Sequence, residues 1–288
     1  MSGLRTVFLL TLLTMLLVAG ARLLGFGQAG MAVALVVGLL FNLVNYWFSS
    51  KIILMAYGAK VLEPGSPEAA PYQWLLDDVR EMATRAGMPV PKVAIIPKEA
   101  PNAFATGRNP EHAVVAATEG LLHLLDRRQV RAVMGHELAH VKNRDMLVMT
   151  IVAGAVSAIG FLANIAQWSA IFGGGRSREG GPPPVVMLLV AILAPLAAMM
   201  VQMAISRSRE YGADEVGAGL AHDPHALADA LERLHRAIPH APHLTESGTT
   251  AHLMIANPFT GSSMARLFST HPDPEDRIRR LRAMAGEA

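Results

Sequence analysis

The chain has 288 residues, of which 52% are apolar and 17% charged, and it contains no cysteine. Soluble globular domains carry about 25% charged residues, so this composition argues against an ordinary cytosolic enzyme and excludes a disordered chain. Without cysteine there are no disulfides or cysteine-ligated metal sites, which leaves His, Asp and Glu as candidate metal ligands. The net charge is +2, and no basic stripe with interleaved aromatic residues occurs, so we expect no nucleic-acid partner.

Four long apolar runs without charged residues stand out along the sequence. They cover residues 6–21, 23–50, 146–175 and 180–206. A helix that spans a bilayer needs about 20 mostly apolar residues, so the runs predict four transmembrane helices. The first run has an alternative interpretation, a cleavable signal peptide that ends at Ala19-Gly20-Ala21. The second run follows it at once, which favours a membrane hairpin.

Positively charged residues concentrate in the two polar regions. Residues 51–145 contain 12 Lys and Arg residues and residues 207–288 contain 9. Because positive residues favour the cytoplasmic side of a membrane, we expect both regions in the cytoplasm. The expected organisation is one catalytic domain in two parts, 51–145 and 206–288, with transmembrane hairpins at 1–50 and 146–205.

Hydrophobic periodicity predicts both helices and strands in the polar regions. Short apolar runs at 92–97 and 113–117 predict two strands, and residues 102–107 form a small segment bounded by turn residues. Residues 239–261 are a long irregular stretch, which is typical of a functional or disordered loop. Helices are predicted at residues 71–86, 119–125, 128–143, 206–219, 224–238 and 274–285.

A metal-binding pattern lies within one predicted helix. It reads His136-Glu137-Leu138-Ala139-His140. Residues four apart on an α-helix lie about 40° apart and about 6 Å along the axis, so the two imidazoles can close on one ion. Glu137 then stands beside the ion, where its carboxylate can take a proton from the attacking water. The alternative is a polar helix face with two ordinary histidines, and the apolar run that follows directly makes this alternative the weaker one.

A catalytic zinc site takes three protein ligands, so a third ligand is needed. Asp145 is the nearest acid, but on a continuing helix it would lie about 140° from His140, which makes it a poor candidate. Glu210 and Asp214 lie four residues apart on a later predicted helix. Glu210 is therefore the candidate third ligand, and Asp214 can accept the second N–H of a ligand imidazole. The alternative is an acidic helix face that pairs with neighbouring arginines.

These motifs, together with Ser269-Thr270-His271-Pro272 before Arg277, resemble the HtpX type of membrane-bound zinc metallopeptidase, a family related to the CAAX prenyl endopeptidases. The resemblance extends over essentially the whole chain. It implies a mainly α, α+β protein with a four-helix transmembrane region and a cytoplasmic, gluzincin-like zinc metallopeptidase domain that contains a small β-sheet. The implied location is the cell inner membrane.

The resemblance also implies residue roles. One Zn²⁺ ion per chain would be bound by His136, His140 and Glu210, with Glu137 as general base. His271, in the terminal His-Pro motif, would stabilise the tetrahedral oxyanion. An edge strand would pair with an extended substrate through backbone groups. That strand consists of Asn102, Ala103, Phe104, Ala105, Thr106 and Gly107.

The implied function is endopeptidase cleavage of cytoplasmic segments of misfolded membrane proteins and unfolded polypeptides, as quality control in the lipid bilayer. One alternative is a non-catalytic membrane protein that binds metal for folding or transport, but a purely structural site needs no acid beside the first ligand. Another alternative is an enzyme for prenylated tails, against which the short chain and four spans count. The oligomeric state stays open.

Two further charged residues have expected structural partners. Asp145 is expected to pair with an arginine near the zinc helix, and Arg277 with the acids of the active site. Because His140 lies six residues before Met146, where the third apolar run begins, we also expect the zinc helix to continue into that run. The same reasoning makes the helix of Glu210 a continuation of the fourth run.

Overall fold

The computed structural model describes residues 27–145, 209–237 and 273–286, together with a few isolated helical positions. The first, third and fourth apolar runs, including the alternative signal peptide, lie outside the described residues apart from those positions. The chain divides into two compact units. One contains residues 1–47 and 148–204, and the other contains residues 48–147 and 205–288.

The helix α1 runs from Gly27 to Ala56 and contains most of the second apolar run. The predicted run ended at residue 50, and the helix continues past Lys51 to Ala56. Within the part of the chain that the structure describes, no helix meets the combined requirement of length and apolarity for crossing a membrane.

A four-stranded mixed sheet forms the β part of the second unit. Its strand order is β1-β2-β4-β3, in which β2 and β4 are parallel and the two outer pairs are antiparallel. The strands predicted at 92–97 and 113–117 are present as β2 and β4, and β1 was missed because two residues carry no readable alternation. The strands are β1 Lys60–Val61, β2 Lys92–Ile96, β3 Ala103–Thr106 and β4 Val114–Thr118.

Both faces of the sheet are covered, which explains the continuous apolar runs of β2 and β4. Val93 and Ile95 belong to the core between the sheet and the helices. Ile96 and Phe104 belong to a second cluster on the other face, where Tyr57 packs with its ring centroid 5.4 Å from that of Phe104.

The helices of the second unit agree closely with the predicted ones. The helix that carries the metal motif, α4, begins with a capping box, in which Asp126 accepts from the Gln129 backbone N–H and the Gln129 side chain accepts from the Asp126 N–H. The last helix begins with Asp273 as its cap and Pro274 in its first turn. The helices are α2 Gln73–Arg85, α3 Glu119–Leu124, α4 Arg127–Asn143, α5 at residues 209–221, α6 Pro224–Ala237 and α7 Pro274–Met284.

The end of α4 differs from the sequence prediction. The helix stops at Asn143, and Arg144 takes a left-handed conformation with φ 60° and ψ 33°. The expectation that the zinc helix continues straight into the third apolar run is therefore wrong. A left-handed residue turns the chain at this point, so Asp145 does not follow the helical geometry that was used to place it.

The helix α4 contacts more than one other element of the second unit. It packs against β3 and α2 and also contacts α6. Val133, Met134 and Leu138 on this helix are completely buried, and His136 and Glu137 are buried as well. The metal motif therefore lies on a helix that is packed on several sides.

Candidate metal centre

The structure brings His136, His140 and Glu210 together from two helices. The Nε2 atoms of the two histidines on α4 lie 3.2 Å apart. Glu210 on α5 places Oε2 3.5 Å from His136 Nε2 and Oε1 3.6 Å from His140 Nε2. One ligand atom from each of the three residues lies within 4.8 Å of the others, so the group can hold one metal ion.

The donor set fits zinc. Two donors at 2.0–2.1 Å from a tetrahedral ion are separated by about 3.3 Å, which agrees with the 3.2 Å between the two imidazole nitrogens. Two imidazoles and one carboxylate leave a fourth position for water or substrate, as catalytic zinc sites require.

His136 is fixed from behind by a buried carboxylate. Its Nδ1 lies 3.0 Å from Asp214 Oδ1. Arg277 on α7 donates two hydrogen bonds to the same carboxylate, from Nε at 2.8 Å and from Nη2 at 2.7 Å. Its Nη1 atom lies 3.3 Å from Glu210 Oε2. All of these side chains are buried, and the expected pairing of Arg277 with the acids of the site is confirmed.

The electrostatics of this cluster favour a cation between the ligands. Burial by itself lowers the pKa of His136, but the nearby carboxylates of Asp214 and Glu210 outweigh burial and raise the pKa to about 10. Burial likewise opposes the charge of Arg277, yet Asp214 and Glu210 raise its pKa above the usual value. Burial raises the pKa of Asp214, but Arg277 and His136 together outweigh burial and keep that pKa below its usual value. The same two carboxylates would also stabilise a metal cation bound by the imidazoles.

His140 is contacted by a different carboxylate. Its Nδ1 lies 3.0 Å from Asp145 Oδ2, and Asp145 also forms an ion pair with Arg209. The expected pairing of Asp145 with a nearby arginine is confirmed. The sequence-based position of Asp145, about 140° from His140, is wrong because the left-handed Arg144 turns the chain back toward the histidine.

Two further residues, Glu137 and His271, were predicted to take part in catalysis, and only Glu137 lies within the described residues. Glu137 lies on α4 between the two histidines, it is 4% exposed, and its charge contributes to the raised pKa of Arg277. His271 lies outside the described residues. Its role as an oxyanion donor stays a prediction.

The proposed substrate strand forms β3, at one edge of the sheet. Asn102 directly precedes this strand, and its carbonyl accepts a hydrogen bond from the backbone N–H of Thr118 at 2.9 Å. Gly107 has a φ of 145°, and a Cβ there would lie 2.7 Å from the His112 carbonyl oxygen, so backbone geometry explains this glycine. The strand residues are buried, including Ala105 at 8% exposure, and pairing with substrate stays a prediction.

The register of β3 decides which of its backbone groups face away from β4. The bond from Thr118 to Asn102 marks their pair as hydrogen-bonded, and antiparallel pairs alternate between bonded and non-bonded. Ala103 opposite Ala117 and Ala105 opposite Val115 are therefore the non-bonded pairs. The N–H and C=O groups of Ala103 and Ala105 face the outer edge.

Sequence reasoning missed two features of the site. The first is the contact of Asp145 with His140, which depends on where α4 ends. The second is a pair of glycines, Gly135 and Gly217, at which α4 and α5 come into backbone contact. Gly217 lies seven residues after Glu210, on the same helix face, and that spacing was the available signal.

The comparisons with known proteins agree on one family. The model of Peptidase family M48 matches residues 69–285. A protein named Protease HtpX homolog from Syntrophobacter fumaroxidans is 50% identical over 286 residues, covering 98% of this chain and 99% of that protein. One of the same name from Thermococcus kodakarensis is 49% identical over 286 residues, covering 99% of this chain and 96% of that protein.

A solved structure has the same fold. The crystal structure of S. mikatae Ste24p superimposes with a TM-score of 0.55 at 18% identity, covering 91% of this chain and 61% of that one. The mainly helical architecture with a small mixed sheet is therefore the fold of this family. The chain belongs to peptidase family M48, and it is a metalloendopeptidase.

Proposed function

We propose that the protein is a membrane-bound, zinc-dependent endopeptidase that cuts cytoplasmic segments of misfolded membrane proteins and other unfolded polypeptides. The observation that carries the proposal is the convergence of His136, His140 and Glu210, with the buried Glu137 next to His136 on the same helix. This is the donor set of a catalytic zinc site with an acid beside it.

The residues of the chain have distinct tasks in this proposal. A bound Zn²⁺ ion would supply Lewis-acid polarisation and lower the pKa of water. Glu137 accepts the proton of the attacking water and passes it to the leaving amine. Asp214 and Arg277 hold His136 and Glu210 in place, because they contact both ligands from behind.

The outer edge of β3 binds the substrate backbone in this proposal. Ala103 and Ala105 turn their N–H and C=O groups to that edge, and an extended chain of any sequence can pair with such groups. Selection by backbone is consistent with broad substrate choice, which quality control of damaged proteins requires. His271 would stabilise the oxyanion that develops during attack.

The same proposal includes attachment to the inner membrane, with the second unit, residues 48–147 and 205–288, in the cytoplasm. The four uncharged runs of the sequence support it. So do large apolar side chains on α1 that are more than half exposed, among them Val33 at 62% and Leu40 at 56%. The protein should stay in the membrane fraction after alkaline carbonate extraction, and release into the soluble fraction would contradict this part.

The decisive experiment measures metal content and peptidase activity together. The protein is purified in detergent, and its zinc content and cleavage of an unfolded protein such as casein are compared with those of Glu137→Gln. Glutamine keeps the shape but cannot accept a proton, so we expect unchanged zinc and a rate about 10²–10⁴ lower. Glu215→Gln, an exposed position on α5, is the matched control. Wild-type turnover by Glu137→Gln with zinc bound would contradict the assigned base, and a wild type without metal would contradict the zinc site.

A further inference from the structure

Each of the two ligand histidines has a carboxylate oxygen 3.0 Å from its Nδ1 atom. Behind His136, Asp214 faces Nδ1 and is itself held by Arg277, as described above. A carboxylate that accepts from the far nitrogen of a metal-binding imidazole fixes its tautomer and orientation.

A second arrangement of this kind surrounds His140. Asp145 Oδ2 lies 3.0 Å from His140 Nδ1. An ionised carboxylate only accepts hydrogen bonds, so Nδ1 carries the proton and Nε2 directs its lone pair toward Glu210 and His136. Arg209 forms an ion pair with the other oxygen, Oδ1, and leaves Oδ2 for the histidine.

We propose that Asp145 is a positioning residue that holds the His140 imidazole in its metal-binding tautomer and orientation, and that Arg209 fixes Asp145 for this task. The inference rests on the proposed metal site and deepens it. The side chain of Asp145 is 8% exposed and that of Arg209 is 23% exposed, so solvent competes little for the hydrogen bond to His140.

The backbone at Arg144 makes this contact possible. With φ 60° and ψ 33°, Arg144 ends α4 and changes the direction of the chain before Asp145. A helical Arg144 would carry Asp145 away from His140. The left-handed conformation is unfavourable for a residue with a Cβ, so the surrounding contacts must maintain it.

The ion pair also joins two separate parts of the chain. Asp145 comes directly before the segment 146–208, and Arg209 comes directly after it. Arg209 is the neighbour of Glu210, and the Asp145 side chain contacts His140. One ion pair therefore links the segment that carries two candidate ligands to the segment that carries the third.

The test is a zinc titration of the full-length protein in detergent against a chromophoric chelator. Asp145→Asn keeps the shape and loses the charge, so we expect zinc to bind about 10–100-fold more weakly, as is typical of changes behind a ligand. Asp145→Ala should weaken zinc at least as much. Arg209→Gln keeps the carboxylate and should weaken zinc less than Asp145→Asn. Asp223→Asn, which breaks the ion pair of Asp223 with Arg128 away from the ligands, is the matched control and should bind zinc as wild type does.

A spectroscopic measurement separates positioning from general stability. In the Co²⁺-substituted protein, the visible absorption bands report the geometry of the metal, so Asp145→Asn should change them and Asp223→Asn should not. Arg144→Gly, which favours the left-handed conformation, should keep wild-type bands, whereas Arg144→Val should change them as Asp145→Asn does.

Three outcomes would overturn the inference. One is wild-type zinc affinity and Co²⁺ bands in Asp145→Asn. Another is a loss of affinity in Arg209→Gln as large as that in Asp145→Asn, since the ion pair alone would then account for the effect. The third is a change of the Co²⁺ bands in Asp223→Asn equal to that in Asp145→Asn. A wild type that binds no zinc contradicts the proposed function instead, so the two failures are distinguishable.

Discussion

Gly217 on α5 lies against the backbone of His136 on α4, and a Cβ added at Gly217 would come within 2.6 Å of the His136 Cα. The contact is reciprocal, because a Cβ added at Gly135 would lie 2.8 Å from the Gly217 carbonyl oxygen. Glu210, Asp214 and Gly217 share one face of α5, since they stand at positions i, i+4 and i+7. The glycine contact therefore sets how closely Glu210 and Asp214 approach the histidine.

Gly217→Ala should separate α4 from α5 and weaken both zinc binding and stability. The clash is with backbone atoms of α4, which cannot rotate away as the end of a side chain could. We expect a loss of about 1–3 kcal/mol in the free energy of unfolding, measured by urea denaturation of the metal-free protein.

Gly219→Ala is the matched control for that change. It lies on the same helix, it is exposed, and a Cβ there would meet nothing within 4 Å. Alanine should stabilise the helix at this position by about 0.5–1 kcal/mol. Equal behaviour of the two variants would contradict the role of Gly217 in the spacing of α4 and α5.

Removal of Glu210 and of Asp214 should affect zinc binding to different extents. Glu210→Ala deletes a ligand and should abolish tight binding, whereas Asp214→Asn should weaken binding by about 10–100-fold. Zinc occupancy after dialysis against graded chelator concentrations measures both. Retention of metal and activity by Glu210→Ala would mean that another acid is the third ligand.

If the substrate pairs with the edge of β3, changes to every second peptide N–H group of the substrate should weaken binding. Only alternate residues of a paired strand turn their N–H groups toward β3. We expect N-methylation of alternate peptide bonds in a model substrate to raise KM with little change in kcat, and N-methylation of the intervening bonds, away from the cleaved one, to have little effect. A steady-state scan along one peptide measures this. The same KM at every methylated position would rule out edge pairing.

The ion pair between Asp223 and Arg128 should make stability depend on pH. A hydrogen bond from Arg128 lowers the pKa of Asp223 below its usual 3.8. Burial opposes this to a smaller extent, and the hydrogen bond from the Ala226 N–H lowers the pKa further. Because the pKa in the folded protein is below that in the unfolded chain, the stabilisation is complete above about pH 4 and is lost as pH falls through the folded pKa.

Asp223→Asn tests this dependence because asparagine can still cap α6 and only the charge is removed. Since the pair is accessible to solvent, we expect the variant to be less stable by about 0.5–1 kcal/mol near pH 6. The difference should shrink below pH 4 in urea denaturation of the metal-free proteins. A difference that stays constant with pH would show that the charge of Asp223 is not responsible.

Most of the regular structure was predictable because it depends on local patterns. The helices at 73–85 and 224–237 and the strands β2 and β4 follow from apolar spacing and from Gly and Pro at their ends. The two-residue strand β1 was not predictable, since its pairing with β2 exists only after the chain has folded back.

The sequence by itself determined which side chains share a helix face. His136 and His140 lie together, and so do Glu210 and Asp214, because a spacing of four residues brings side chains onto one face of any α-helix. This reasoning needs only the assumption that each segment is helical. Metal binding by the three candidate ligands, and the role of His271, stay predictions.

Only the tertiary structure decided how the two helix faces meet and what supports them. The Asp145 side chain contacts His140 because Arg144 leaves the helical conformation. If the helix is assumed to continue through Arg144, the predicted position of Asp145 is on another side of the helix. Gly217 meets His136 because α4 and α5 cross at their glycines. Both contacts depend on the path of the backbone between distant residues, which is decided by packing of the whole unit and not by the spacing of side chains along one helix.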